Sequence, residues 1–298
     1  MKPDGPLTEY GEGGQSTWKE RGMKVGMLTA PFGDVTFDKV LEFAEGALIT
    51  GLEVIAGPGS THIDPAKLTK ARAHTLRDGL EQRGIEITSL AYYANTTSPD
   101  AMKKVQAHAK KTIDAAVLLG VPTVCMLAGW PVDGMTKIET IRKVAPKAFR
   151  PILAHARRKG VNIALENYFA TLLQGLDTFE CLFETIKDET LGLNYDPSHL
   201  VHQECDHLAP VSMFGSRIYH THAKDTLIDR RKRAQVGIYG SGWWRYVIPG
   251  FGNIDWGEYV SHLRMNGYDG VLSIEHEDGS QTREEGFIRG ATYLEQFC

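Results

Sequence analysis

The stretch Asn162-Ile163-Ala164-Leu165-Glu166-Asn167 decides the fold. A short apolar run stops on a carboxylate, and an unpaired charge is costly to bury in a core. The same sentence recurs three times downstream, in Asn194-Tyr195-Asp196-Pro197-Ser198-His199, in His220-Thr221-His222-Ala223-Lys224-Asp225 and in Ser273-Ile274-Glu275-His276-Glu277-Asp278. Each follows an apolar run that reads as a buried parallel strand. In a (β/α)8 TIM barrel the C-terminal ends of the strands converge on one mouth. Two Glu, one Asp and one His brought together there form a hard O/N site for a divalent cation.

Working outward, the pattern alternates from Lys24 onward. Strands are expected over 24–29, 52–56, 86–92, 123–127, 162–166, 192–195, 217–222 and 270–275. Helices are expected over 37–50, 65–83, 102–119, 137–158, 178–187, 205–214, 255–266 and 283–296. Strict alternation points to a parallel sheet with crossover helices, and eight units close a barrel. Gly51, Gly84, Gly120, Gly160 and Gly267 fall where left-handed helix caps favour glycine. Thr178 and Asp255 read as helix starts. An open doubly wound sheet is the rival architecture, but Thr29-Ala30-Pro31-Phe32-Gly33 after the first strand is no phosphate-binding glycine turn. The reading is one barrel domain over 23–298, preceded by a polar, Gly-rich arm over 1–22. That arm is expected to be a flexible, disordered tail or to pack on a partner subunit.

The chain has 298 residues, 42% of them hydrophobic, and a net charge of −4. Its one basic block, Arg230-Arg231-Lys232-Arg233, reads as a solvated loop, so nucleic acid is not an expected partner. No apolar run approaches the roughly 20 residues of a membrane span, and the first stretch lacks the apolar core of a signal peptide. Cys125, Cys181, Cys205 and Cys298 show no CxxC spacing and read as free thiols of a cytoplasmic protein.

Within the quartet, Glu166 ends the fifth strand and Pro197 stops the sixth at Asp196. His199 is a second ligand, a hydrogen-bond donor to substrate, or the cap of the next helix. His220 and His222 share a strand face; His222, nearer the rim, is the ligand expected. Glu275 is the ligand of the last strand, with Glu277 behind it. Lys224 is placed to hold an anionic oxygen or an enediolate. Glu53, Tyr92, Tyr93, Asn95 and Trp130 are rim candidates for substrate contact. About thirty residues separate His222 from Asp255, long for a βα loop; its Trp243 and Trp244 are expected to wall the mouth and face a sugar ring. No nucleophile elbow, HExxH, P-loop or cysteine–zinc pattern competes.

The segments ALEN, DPSH, HTHAKD and SIEHED, with IPGFGNIDW between the last two, resemble the sugar phosphate isomerase/epimerase group of the xylose isomerase-like TIM barrel superfamily. The resemblance runs from Lys24 to the C-terminus. It implies a metal site of Glu166, Asp196, His222 and Glu275 holding Mn²⁺, or Mg²⁺, Co²⁺ or Zn²⁺, with His199 on substrate oxygens and a homo-oligomeric assembly. Tagatose-epimerase-type members carry a further Glu and an Arg at positions that here hold Leu172 and Ile228. The HAKD and GWWR segments are more like members acting on inositol-type or oxidised sugars. The activity implied is isomerisation or epimerisation of a sugar by proton abstraction next to a carbonyl, with Glu166, Glu275 or His199 as base. The alternative is β-elimination on 3-keto-glycosides, C-glycosides included, or dehydration of an inosose, with a small partner subunit completing the site.

Overall fold

The computed structural model describes residues 22–298, so the arm read over 1–22 lies outside the described residues but for Gly22. The strands are β1 (Lys24–Leu28), β2 (Gly51–Ile55), β3 (Glu86–Tyr92), β4 (Thr123–Leu127), β5 (Asn162–Glu166), β6 (Leu191–Tyr195), β7 (Ile218–Ala223), β8 (Asp225–Ile228), β9 (Trp244–Val247) and β10 (Val271–Ile274). Eight of them close a parallel barrel in the order β1-β2-β3-β4-β5-β6-β7-β10, with β10 returning to β1. This is the (β/α)8 barrel expected from the alternation. Parallel strands covered on both faces read as near-continuous apolar runs, which is why the strands were legible.

Helices wrap the outside. In the helix Ala145–Lys159, the residues Ala145, Ala148, Phe149, Ile152, Leu153 and Ala156 form the buried stripe, the three-four spacing that turns one face to the sheet. Burying each large side chain contributes about 1.5–3 kcal/mol. The single helix expected over 137–158 is two, Lys137–Lys143 and Ala145–Lys159, meeting at Val144. Pro146 at the start of the second has no amide hydrogen for a preceding turn, so it opens a new helix rather than extending the old one. The helix expected over 205–214 is shorter, Ala209–Phe214, and a separate turn of helix, Ser198–Val201, follows β6. Four of the five glycines read as caps have positive φ, but Gly51 is the first residue of β2. The helix expected from Thr178 starts at Leu176, and the Thr178 hydroxyl donates back to the Gly175 carbonyl at 2.6 Å.

The long loop after His222 is ordered as an antiparallel hairpin of β8 and β9, carrying the helix Arg230–Val236 at its tip. The Arg230-Arg231-Lys232-Arg233 block therefore lies on an exposed helix, not a loop. Asp225 anchors the hairpin. Its carboxylate accepts hydrogen bonds from the backbone N–H of Thr226, Gly250, Gly252 and Ile254 and from the Trp256 indole, all between 2.8 and 3.1 Å. A Cβ on Gly252 would lie 2.2 Å from the Asp225 carboxylate, so only glycine lets the backbone come this close. That arrangement explains the Ile248–Trp256 segment: it is the loop wrapped around one buried acid. Among the described residues, no helix is long and apolar enough to cross a membrane.

Candidate active site and metal centre

Strand register brings the chemistry to one level. Glu166 pairs with Asn194 across β5 and β6, Asn194 with His220 across β6 and β7, and His222 with Ser273 across β7 and β10. Asp196 and Glu275 follow at the ends of their strands. One donor atom from each of Glu166, Asp196, His222 and Glu275 lies within 4.8 Å of the others. Ligand bonds of about 2.0–2.2 Å around one ion require separations on this order.

Asp196 is aimed by its neighbours. Asn167 clamps its peptide, donating to the Asp196 carbonyl at 2.7 Å and accepting from its N–H at 2.8 Å. One carboxylate oxygen is used by the Ser198 N–H at 2.8 Å. The other, Oδ2, is buried and receives no well-directed hydrogen bond, although Lys224 Nζ lies 3.2 Å away. Nδ1 of His222 is equally orphaned, 3.1 Å from Glu275 and 3.6 Å from Glu166. Two buried polar atoms without hydrogen-bond partners, facing two further carboxylates, are what a divalent cation satisfies. The charge balance agrees: Glu166, Asp196, Glu275 and Glu277 gather about the one ammonium of Lys224, with Glu53 beneath them against His222, an excess of carboxylate that a divalent cation offsets. Zinc, magnesium and manganese all accept this O/N donor set.

Lys224 is 1% exposed. Its ammonium lies 2.6 Å from Glu275 and 3.3 Å from Glu277, and 4.5 Å above the Tyr246 ring. Burial disfavours the charge, but Asp196, Glu275 and Glu277 hold the lysine pKa well above its ordinary value. Burial and the neighbouring Glu275 push Glu166 up to about 7. Glu275 is partly buried, and desolvation works against its charge, yet Lys224 and His222 hold it well below the usual carboxylate range. Burial and the Lys224 charge keep His199 well below its ordinary value, so this imidazole is neutral. Nε2 of His199 stands 3.4 Å from Glu166 and from Asp196, and Nδ1 stands 2.6 Å from the Tyr246 hydroxyl.

The substrate-contact candidates divide. Lys224 is in the centre. Glu53 is not at the rim: it is fully buried in the lumen beneath the site, against His222. Tyr92 packs on His108 of an outer helix, ring centroids 4.5 Å apart, while Tyr93 turns inward to Glu53 and His222. Adjacent residues leave a strand on opposite sides, which separates the two tyrosines. The Asn95 side-chain oxygen ties loops together, accepting from the Trp130 N–H at 3.2 Å and the Thr97 hydroxyl at 3.1 Å. Trp243 is buried in the hairpin under Arg233, its indole donating to the Gly240 carbonyl, so it does not wall the mouth. Trp244 stacks flat on His202 at 4.0 Å and meets Phe169 edge-on, in an aromatic wall that reaches His199 through Tyr246 and Tyr168. Tyr246, His202, Tyr168 and Phe169 were not read from the sequence. The alternation of Trp244 and Tyr246, and the three-residue step from His199 to His202, were the available signals.

A barrel of eight parallel strands with a Glu-Asp-His-Glu quartet at its mouth defines the class of protein. The chain belongs to the xylose isomerase-like TIM barrel family, whose model matches residues 41–297. It is similar to the uncharacterized protein YfiH of Bacillus subtilis (strain 168), 28% identical over 92% of this chain and 99% of that one. A stretch covering 48% of this chain is 27% identical to the inosose dehydratase of Geobacillus thermodenitrificans (strain NG80-2) and spans 50% of that enzyme. Among solved structures, the IolI protein with a binding zinc atom has the same fold, with a TM-score of 0.72 at 20% identity over 93% of this chain and 99% of that one.

Proposed function

We propose that this protein is a divalent-metal-dependent isomerase or epimerase of a small sugar or keto sugar, acting by proton abstraction next to a carbonyl. The observation that carries the reading is the quartet Glu166, Asp196, His222 and Glu275 with two buried, unpartnered polar atoms, Asp196 Oδ2 and His222 Nδ1, within it. Those four residues would hold the ion, Mn²⁺ by resemblance, with zinc or magnesium equally suited to the donors. The ion, when bound, supplies Lewis-acid polarisation of the substrate carbonyl.

The protein side chains do the rest. Glu166 is the base that takes the proton from the carbon beside the carbonyl, and the electron pair moves onto the carbonyl oxygen as an enediolate. Lys224 offers positive charge to that oxygen, with the His199 imidazole beside it as a hydrogen-bonding partner. Protonated Glu166 then hands that proton to the neighbouring carbon, which gives the isomer; in epimerisation the ionised Glu275 is the base on one face and protonated Glu166 the donor on the other. The aromatic wall of Trp244, Phe169 and Tyr246 excludes water from one side. The catalytic unit is the single barrel over 23–298, working as a cytoplasmic homo-oligomer.

A second reading has one supporting observation. The chain of His202, Tyr246 and His199, linked at 3.3 and 2.6 Å, leads a proton donor toward the centre. The same enediolate could then expel a β-hydroxyl as water, the His199 proton going with it, as the half-length likeness to an inosose dehydratase suggests.

Proton NMR in D₂O separates these. The Zn²⁺- or Mg²⁺-loaded enzyme is incubated with ketoses, inososes and 3-keto-glucosides. Deuterium at the α-carbon of an intact or isomerised sugar is the result expected. An unsaturated keto sugar, with loss of water or of an aglycone, replaces the first reading with the second. No exchange on any member of the panel, by a chain shown to hold its metal, removes both.

A further inference from the structure

Beneath the quartet, the lumen holds a polar layer that the proposed chemistry does not use. Its centre is Glu53, in the interior of β2 and fully buried. One oxygen accepts the Tyr93 hydroxyl hydrogen; the other lies 2.9 Å from His222 Nε2 and 3.3 Å from the Ser273 hydroxyl.

Three groups face Nε2 of His222: the Glu53 carboxylate at 2.9 Å, the Asn194 amide nitrogen at 3.0 Å and the Tyr93 hydroxyl at 3.2 Å. The Tyr93 hydrogen is given to Glu53, and the Asn194 amide donates to the Tyr93 oxygen at 3.1 Å. The Asn194 carbonyl oxygen is turned the other way, accepting from His220 Nδ1 at 3.0 Å, which fixes the amide's orientation. The one charged acceptor before Nε2 is therefore the carboxylate. A lone pair on Nε2 would face a carboxylate oxygen at hydrogen-bond distance in a dry interior, a repulsive arrangement. Nε2 carries the hydrogen. On the opposite side of the ring, Nδ1 is the orphaned atom facing Glu275, Glu166 and Asp196.

We infer that Glu53 is a positioning residue that locks His222 in the Nε2–H tautomer and so presents the Nδ1 lone pair to the cation. It touches neither substrate nor metal; it orients the ring and, through its charge, makes Nδ1 a stronger donor. The inference rests on the metal-centre reading and adds to it the ligating atom and the group that selects it.

The test uses the full chain stripped of metal and titrated with zinc by calorimetry. Long-range ¹H–¹⁵N NMR of the histidine rings in the zinc-loaded wild type assigns the His222 tautomer, with His222→Ala identifying its signals. Expected are one bound zinc and a protonated Nε2 with zinc on Nδ1. Glu53→Gln, similar in size but uncharged, should bind zinc roughly 10- to 100-fold more weakly. Zinc on Nε2 overturns the inference, as does Glu53→Gln with an affinity within about twofold of wild type. The tautomer is read on the wild type, so it stands as a test even if the variant fails to fold. A wild type that takes up no zinc refutes the metal-centre reading itself, an outcome distinct from zinc bound through the wrong nitrogen.

Discussion

The Tyr246 hydroxyl lies 2.6 Å from His199 Nδ1, which joins the inserted hairpin to the imidazole at the barrel mouth. Tyr246 sits on β9 and His199 on the short helix after β6, so the bond closes the hairpin over the site. Nε2 of the same ring lies 3.3 Å from the Lys224 ammonium and 3.4 Å from both Glu166 and Asp196.

Tyr246→Phe removes this hydroxyl and little else. A net hydrogen bond of this kind contributes about 0.5–1.5 kcal/mol. The expected loss in kcat is therefore about two- to tenfold at unchanged metal content. Steady-state kinetics beside metal analysis checks it; unchanged kcat means that Tyr246 only packs the hairpin.

Glu275→Gln and His222→Ala should each lose bound metal while keeping the fold. Both positions are at the strand-end mouth, where side chains serve function more than folding. Metal analysis after gel filtration, with far-UV circular dichroism for the fold, reads the result. Full metal content in either variant removes that residue from the ligand set.

The barrel and its quartet were legible for one physical reason: a carboxylate or imidazole that ends an apolar run has few structural explanations. Glu53 was harder. It ends no run; Val54 and Ile55 continue the strand past it, and a carboxylate that near a strand end reads equally as rim or lumen. Its depth follows from closure of the barrel, which places Ser273 and His222 against it from strands more than a hundred residues away. Tyr246 was hidden because β9 is four residues long and its apolar pattern lies within a Gly- and Trp-rich stretch. Trp243 and Trp244 are neighbours in sequence, yet strand alternation sends one to the hairpin helix and the other to His202.

Asp225→Ala should be among the more destabilising single changes in the hairpin. It strands five donors at once, four of them backbone N–H groups that no other side chain reaches. Each buried donor left unsatisfied costs about 1–3 kcal/mol, although loop relaxation recovers part of the sum. A loss of roughly 3 kcal/mol or more is expected, read as a lower midpoint in urea. Asp225→Asn, which keeps one acceptor oxygen, should fall between the two. An alanine variant as stable as wild type shows that water replaces the carboxylate.

Lys224→Met separates two roles that a single activity assay confounds. The ammonium lies 3.2 Å from Asp196 and 2.6 Å from Glu275, so it competes with a cation for the same oxygens. It also stands where charge develops on the substrate oxygen in the proposed reaction. Removing it should leave the quartet more negative, so a divalent ion binds as tightly as before or more tightly. The same removal takes away a preorganised positive group, a loss on the order of 10²- to 10³-fold in kcat for groups of this kind. Metal affinity and kcat are thus expected to move in opposite directions. If both fall together, Lys224 is a strut that holds Glu275 and Asp196 in place, and the oxyanion role passes to His199.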